Sequence, residues 1–94
     1  MIRHIVCWKL KDQNKKDNIA RMKSELEALV GKIEGLVSIE VGECAEGGEW
    51  DAALTSIHES WDALSVYRVH PEHVKVSQFV QTIAEKRSAA DFEI

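Results

Sequence analysis

The run Ile2 to Leu10 carries apolar residues on both of its faces, and this limits the folds open to the chain. Ile2, His4, Val6, Trp8 and Leu10 face one way, and Arg3, Ile5, Cys7 and Lys9 the other. Period two marks a strand. An exposed antiparallel sheet normally shows one face to water, so a strand apolar on both sides needs cover on both. The chain has 94 residues, enough for a single domain over 1–94 that buries a modest share of its surface. Small domains of this kind draw added stability from staples or from association. Cys7 and Cys44 form no CxxC pattern, so reduced thiols are expected. No Cys/His pair has zinc-type spacing. Oligomerisation is the remaining source of burial.

A polar stretch follows the first strand. Asn14, with Asp17 three residues on, suggests a capped helix start. Ile19, Met22, Leu26, Leu29, Val30 and Ile33 recur at three- and four-residue steps, one apolar stripe of a helix. Gly35 suits the left-handed turn that leads the chain out. Leu36 to Gly42 returns to period two with Val37, Ile39 and Val41 on one face, and Asp51 to Glu59 is a third strand beyond an acidic, glycine-bearing loop. Ser60 caps a short helix with Asp62 in its first turn. His70-Pro71 breaks that helix near Val69 and starts another, because proline disfavours helix in the residue before it and fits the first helical position. Val76, Phe79, Val80 and Ile83 form the last apolar stripe, and Arg87 to Ile94 reads as a closing strand. The order β-α-β-β-α-β, with its second helical region in two pieces, is the ferredoxin-like α+β sandwich. Its helices cover one sheet face, and the same face of a second copy is the simplest cover for the other.

The net charge of −4 is interspersed rather than blocked, which argues against a nucleic-acid footprint. No apolar run approaches the ~20 residues of a membrane span, and folded-looking sequence starts at Ile2 without a signal peptide, so a soluble cytoplasmic protein is expected. No cofactor fingerprint, nucleophile motif or phosphate loop is present, and any enzyme is expected to do cofactor-free proton chemistry.

Several segments together resemble one family. They are Ile2-Arg3-His4-Ile5-Val6 with Trp8-Lys9-Leu10, Ile39-Glu40-Val41-Gly42, Trp50-Asp51-Ala52-Ala53-Leu54, Tyr67-Arg68-Val69-His70-Pro71-Glu72-His73 and Asp91-Phe92-Glu93. In this order, over nearly the whole chain, they are similar to the stress-responsive dimeric α/β-barrel (Dabb) family, with the Tyr-x-x-His-Pro-x-His segment the most specific part. The resemblance implies a protomer whose sheet packs on a partner's sheet to form a barrel across a homodimer. Members include plant stress-induced proteins and the plant olivetolic acid cyclase. The resemblance to that cyclase implies Tyr67 and His73 as a catalytic pair and His4 as a pocket residue. It carries no substrate, since fold does not fix function.

The residues support two readings of these positions. His73 lies three before Val76 and seven before Val80, on the inward stripe, where the positive helix end opposes its protonation and leaves it a general base near neutral pH. The plainer alternative is a core histidine with one satisfied hydrogen bond. Tyr67 could steady an oxyanion or relay a proton, or be an amphipathic boundary residue. His4 shares its face with Val6 and Trp8, which calls for a polar partner or a cavity. His70 is expected to cap or pack locally, and His58, at a strand end, to be solvated. A metal pair of His70 and His73 is disfavoured because His70 lies outside the helix. Trp50 and Trp61 read as packing or interface residues. Two functions follow as expectations: a small-molecule-binding or stress-related homodimer without turnover, and an acid/base enzyme using His73 and Tyr67 on a small carbonyl or polyketide-like substrate.

Overall fold

The computed structural model describes residues 1–94. The elements are β1 (Ile2–Leu10), α1 (Lys15–Glu27), β2 (Leu36–Glu43), β3 (Ala52–His58), α2 (Trp61–Val69), α3 (Pro71–Ile83) and β4 (Ala84–Glu93). The four strands form one antiparallel sheet in the order β2-β3-β1-β4. This is the ferredoxin-like arrangement expected from the alternation of periods two and 3.6.

The register decides which side chains meet. His4 pairs with Ser56 on one side and Asp91 on the other, and Trp8 with Ala52 and Arg87. Residues opposite one another share a face. One face therefore carries Ile2, His4, Val6, Trp8 and Leu10 of β1, all buried, and with them Leu54, Ser56 and His58 of β3. Met22 and Leu26 of α1, Leu64 and Tyr67 of α2, and Val76 and Val80 of α3 pack against it. The opposite face carries Ile5, Cys7, Ala53, Ile57, Ala90 and Phe92 with Arg3 and Thr55, and no helix covers it. Phe92 is 44% exposed there. Cys7 and Cys44 are unpaired.

The structure departs from the sequence pattern at several boundaries. α1 stops at Glu27 rather than running through Ile33. The chain then tightens into turns, with Lys32 N–H donating to the Leu29 carbonyl and Gly31 at φ +90°. Leu29 and Ile33 stay buried, so the apolar stripe continues as core although the helix does not. Asn14 adopts a left-handed conformation and makes no side-chain cap, so the capping box with Asp17 does not form. A bulge between Leu36 and Ser38 places Leu36 opposite His58 and Ile39 opposite Ser56, which leaves Val37 out of the buried set. β4 begins at Ala84, directly after α3, because Ala84 already pairs with Leu10. Its charged residues hide the strand pattern but are ordinary on an edge strand. Ser60 caps α2 as expected, its hydroxyl accepting from Ala63 N–H at 3.1 Å. Gly35, at φ +86°, lies so close to α2 that a Cβ there would stand 2.7 Å from Ala63 Cβ.

Candidate functional site

The break between α2 and α3 sets the site. Tyr67 lies three residues after Leu64 and both are buried, so the tyrosine ring enters the layer between helix and sheet. Pro71 ends α2 by excluding helical geometry at His70, which is extended at φ −63° and ψ 134°. The His70 Nδ1 accepts from Glu72 N–H at 3.1 Å, so His70 caps α3 and has a structural role. His73, in the first turn of α3, turns back towards α2, and its Nδ1 lies 3.2 Å from the Arg68 carbonyl oxygen. A carbonyl only accepts, so Nδ1 carries the proton and donates. This bond satisfies a carbonyl that the end of α2 would otherwise leave free. In the neutral ring the lone pair is then on Nε2, which has no protein partner.

Three imidazoles surround the Tyr67 ring. Its centroid lies 4.2 Å from that of His73, 4.8 Å from that of His58 and 6.3 Å from that of His4. His4 is held by Asp91 directly across the β1–β4 ladder: the imidazole Nδ1–H donates to one carboxylate oxygen, and Arg68 donates to the other at 2.5 Å. Asp91 thus fixes the His4 tautomer and leaves Nε2 away from the carboxylate.

His58 corrects the expectation that it is solvated. It is 0% exposed, because β3 turns every second side chain under α2 and Leu36 of β2 lies across from it. Its Nε2 lies 2.9 Å from the Ser56 hydroxyl, and its Nδ1 is buried without a protein partner. An unpaired lone pair costs less than an unpaired N–H, so Nε2 carries the proton and donates to Ser56.

Tyr67, His73 and His4 line one cavity of about 450 Å³ between sheet and helices. Val6, Leu26, Leu54 and Val80 form its apolar, buried floor. Gln81, Glu85, Lys86 and Arg87 are exposed and form its mouth. The volume lies within the range of small-molecule sites, which pair apolar walls with a few convergent polar groups. The Tyr67 hydroxyl has no hydrogen-bond partner within the protein, and it is not among the fully buried unpaired atoms.

Burial tunes the titration of these groups. It pushes the Tyr67 hydroxyl up to about 12, with the Arg87 charge pulling the other way. Burial lowers His73 below the usual imidazole value, against the bond to the Arg68 carbonyl, and the charges of His4 and Arg87 lower it further. Burial, then His4, brings His58 down to about 4. For Asp91 burial works upward, but the bond from His4 and the charge of Arg68 outweigh it and hold the carboxyl below its ordinary value. No three metal-ligating side chains converge anywhere in the fold.

Sequence reasoning missed Asp91, Arg87 and the buried position of His58. Asp91 and Arg87 belong to β4, whose register against β1 was not legible, and His58 shares a period-two face with Leu54 that could have placed it.

A ferredoxin-like protomer with one bare sheet face and a polar-tipped pocket beneath its helices defines a class of small α/β-barrel proteins. The chain belongs to one family of that class: the stress responsive A/B barrel domain model matches residues 2–94. Among solved structures, a dimeric protein of unknown function with a ferredoxin-like fold from Bacteroides fragilis is 35% identical. The match has a TM-score of 0.90 and covers 99% of this chain and 95% of that one. A dimeric ferredoxin-like protein of unknown function from Thermobifida fusca is 23% identical, with a TM-score of 0.88 over 99% of this chain and 90% of that one. The hydroxynitrile lyase of Passiflora edulis is 17% identical, with a TM-score of 0.83 over 99% of this chain and 92% of that one. At the two lower identities the likeness is one of fold. A search of the curated proteins gave no match.

Proposed function

We propose that the chain is a small-molecule-binding homodimer, with one pocket per protomer in which Tyr67, His73 and His4 contact the ligand. The observation that carries this reading is the cavity of about 450 Å³, where polar groups without protein partners stand over an apolar floor. His73 Nδ1 is held by the Arg68 carbonyl, while His73 Nε2 and the Tyr67 hydroxyl have no protein partner and are left for a ligand or water. The homodimer rests on the uncovered face of Ile5, Ile57, Ala90 and Phe92 and on the dimeric Bacteroides fragilis relative. Two such faces packed together would cover the second side of β1. The test is a ligand screen by thermal shift on the purified chain, repeated on Tyr67→Phe and His73→Ala. Hits whose shift disappears in both variants support the pocket, and hits unaffected by either variant overturn it.

One observation favours turnover as a second reading. The His73 tautomer leaves Nε2 as a base on a ring 4.2 Å from that of Tyr67, whose hydroxyl stays protonated at neutral pH, and the two groups are suited to moving one proton and steadying an oxyanion on a shared ligand. A carbonyl-bearing or cyanohydrin-like substrate fits that chemistry. The Passiflora edulis lyase has the same fold.

A further inference from the structure

Arg87 differs from the chain's other arginines. Arg3 donates to the Thr55 hydroxyl, Arg21 pairs with Glu25, and Arg68 pairs with Asp91. Arg87 has neither an ion-pair partner nor a side-chain hydrogen bond, yet it lines the same cavity as Tyr67 and His73. It is held there by its register: it pairs with Trp8, a helix-face residue that also lines the cavity. We propose that Arg87 is the anion-recognising residue of this pocket and that the ligand is a small organic carboxylate with an apolar body.

The proposal rests on the pocket reading above and adds the ligand's charge. A guanidinium presents a planar fork that matches a carboxylate in a bidentate way, and its charge does not titrate. The other charges at the mouth select a single negative charge. Lys86 is already paired with Glu49 at 2.5 Å. Glu85 lines the mouth with its own carboxylate, which would repel a dianion such as a phosphate monoester. The ligand body would lie over Val6, Leu54 and Val80, with its other end against Tyr67 and His73.

Calorimetric titration of the full chain tests the inference with matched pairs of probes. Phenylacetate, 3-phenylpropanoate and phenylglyoxylate are each compared with their own methyl ester, with phenyl phosphate as the dianionic comparator. The Arg87 side chain is exposed and makes no ion pair or hydrogen bond, and Met keeps its stem, so Arg87→Met is expected to fold as the parent does. The carboxylates should bind more tightly than their esters. Arg87→Met should weaken the carboxylates by about tenfold or more while leaving the esters within about twofold. Esters that bind as well as carboxylates, or a preference for carboxylates that survives Arg87→Met, would overturn this inference and leave the pocket standing. Tighter binding of phenyl phosphate would overturn the assignment to a carboxylate. Failure of every acid and every ester to bind would overturn the pocket reading, and this inference with it.

Discussion

The rings of Tyr67 and His73 lie 4.2 Å apart, centroid to centroid, at 40° to each other, although one closes α2 and the other opens α3. On a continuous helix their separation in sequence would put them roughly 120° apart around the axis. The extended backbone at His70, imposed by Pro71, restarts the helix at a new angle and brings both rings inward. The bond from His73 Nδ1 to the Arg68 carbonyl then fixes which nitrogen is free. One backbone break thus produces both the proximity of the pair and its protonation pattern.

Tyr67→Phe is the mildest change at this pair, because the hydroxyl it removes has no protein partner. Folding stability should stay within about 0.5 kcal/mol of the parent by chemical denaturation, the range of substitutions that break no contact. Ligand binding should weaken, and any turnover should fall by about a hundredfold, the scale of losing a positioned proton donor. A loss of stability above about 2 kcal/mol with unchanged binding would make the hydroxyl structural.

His58 should make stability depend on pH between about 4 and 6.5. Its folded value is lowered from 6.5 to about 4 by burial and by His4. The unfolded chain therefore binds more protons in that window. The contribution of the neutral ring is complete above 6.5 and is lost as pH falls towards 4, to a total on the order of 3 kcal/mol. His73, also lowered by burial, has the same sign. Denaturant midpoints at pH 7 and pH 5 should differ in the parent and converge in part in His58→Leu. An equal pH slope in that variant would assign the effect elsewhere.

The topology was legible because two periods alternate along the chain: period two in Ile2 to Leu10 and, past the bulge at its start, in Leu36 to Gly42, and period 3.6 in Ile19 to Leu26 and Val76 to Ile83. The break at His70-Pro71 was legible from backbone chemistry, and with it the inward stripe of His73. The partners of these groups were not. Asp91 reaches His4 only because β4 pairs with β1 in one register, and a strand rich in charge gives no periodicity from which to read it. The period-two face that His58 shares with Leu54 points to its side of the sheet, but at a strand end it does not say what covers it. Its cover comes from Leu36 of β2 and Tyr67 of α2, both on other elements. The end of α1 is hidden in the sequence for another reason: Leu29 and Ile33 stay on the core side after the helix has ended, so their spacing continues the stripe.

Asp91→Ala should disturb the site from its far side. The change leaves the His4 Nδ1–H without its acceptor and frees Arg68, at an expected cost of about 1–3 kcal/mol for the unsatisfied, largely buried donor. Asp91→Asn keeps an acceptor oxygen and should recover part of that loss. Both should weaken ligand binding through His4, as positioning effects. If Asp91→Ala is as stable as the parent by denaturant titration, the carboxylate does not hold His4.

Gly35 and Gly47 offer a matched comparison of strain and clash. Both have positive φ, but a Cβ at Gly47 meets open space, whereas one at Gly35 would stand 2.7 Å from Ala63 Cβ. Gly47→Ala should cost about 1 kcal/mol from backbone conformation alone. Gly35→Ala should cost clearly more, because α2 must also move, and α2 carries Tyr67. Equal thermal midpoints for the two variants would show that α2 yields freely at Ala63.

The bare sheet face gives the last prediction. Ile5 and Ile57 lie side by side on it, since Ile5 pairs with Thr55 and Arg3 with Ile57, and Ala90 lies across from Ile5 on β4. Ile5 and Ile57 are half-buried within the protomer by their neighbours alone, Ala90 is exposed, and Phe92 extends the patch at the edge. Apolar area removed from water stabilises by roughly 25 cal/mol per Å², so a second copy laid on this face gains from each of these side chains. A lysine ammonium there would have to be buried without an anion, a change on the order of several kcal/mol against association. Ile5→Lys should therefore shift the chain to monomer in sedimentation velocity at micromolar concentration, with Ile57→Lys doing the same from the neighbouring strand. Val66→Lys is the control, since Val66 is 51% exposed on α2 and away from this face. A parent chain that sediments as a monomer, or an Ile5→Lys variant that remains dimeric, would place the interface elsewhere. A dimer lost only in Val66→Lys would place it on α2.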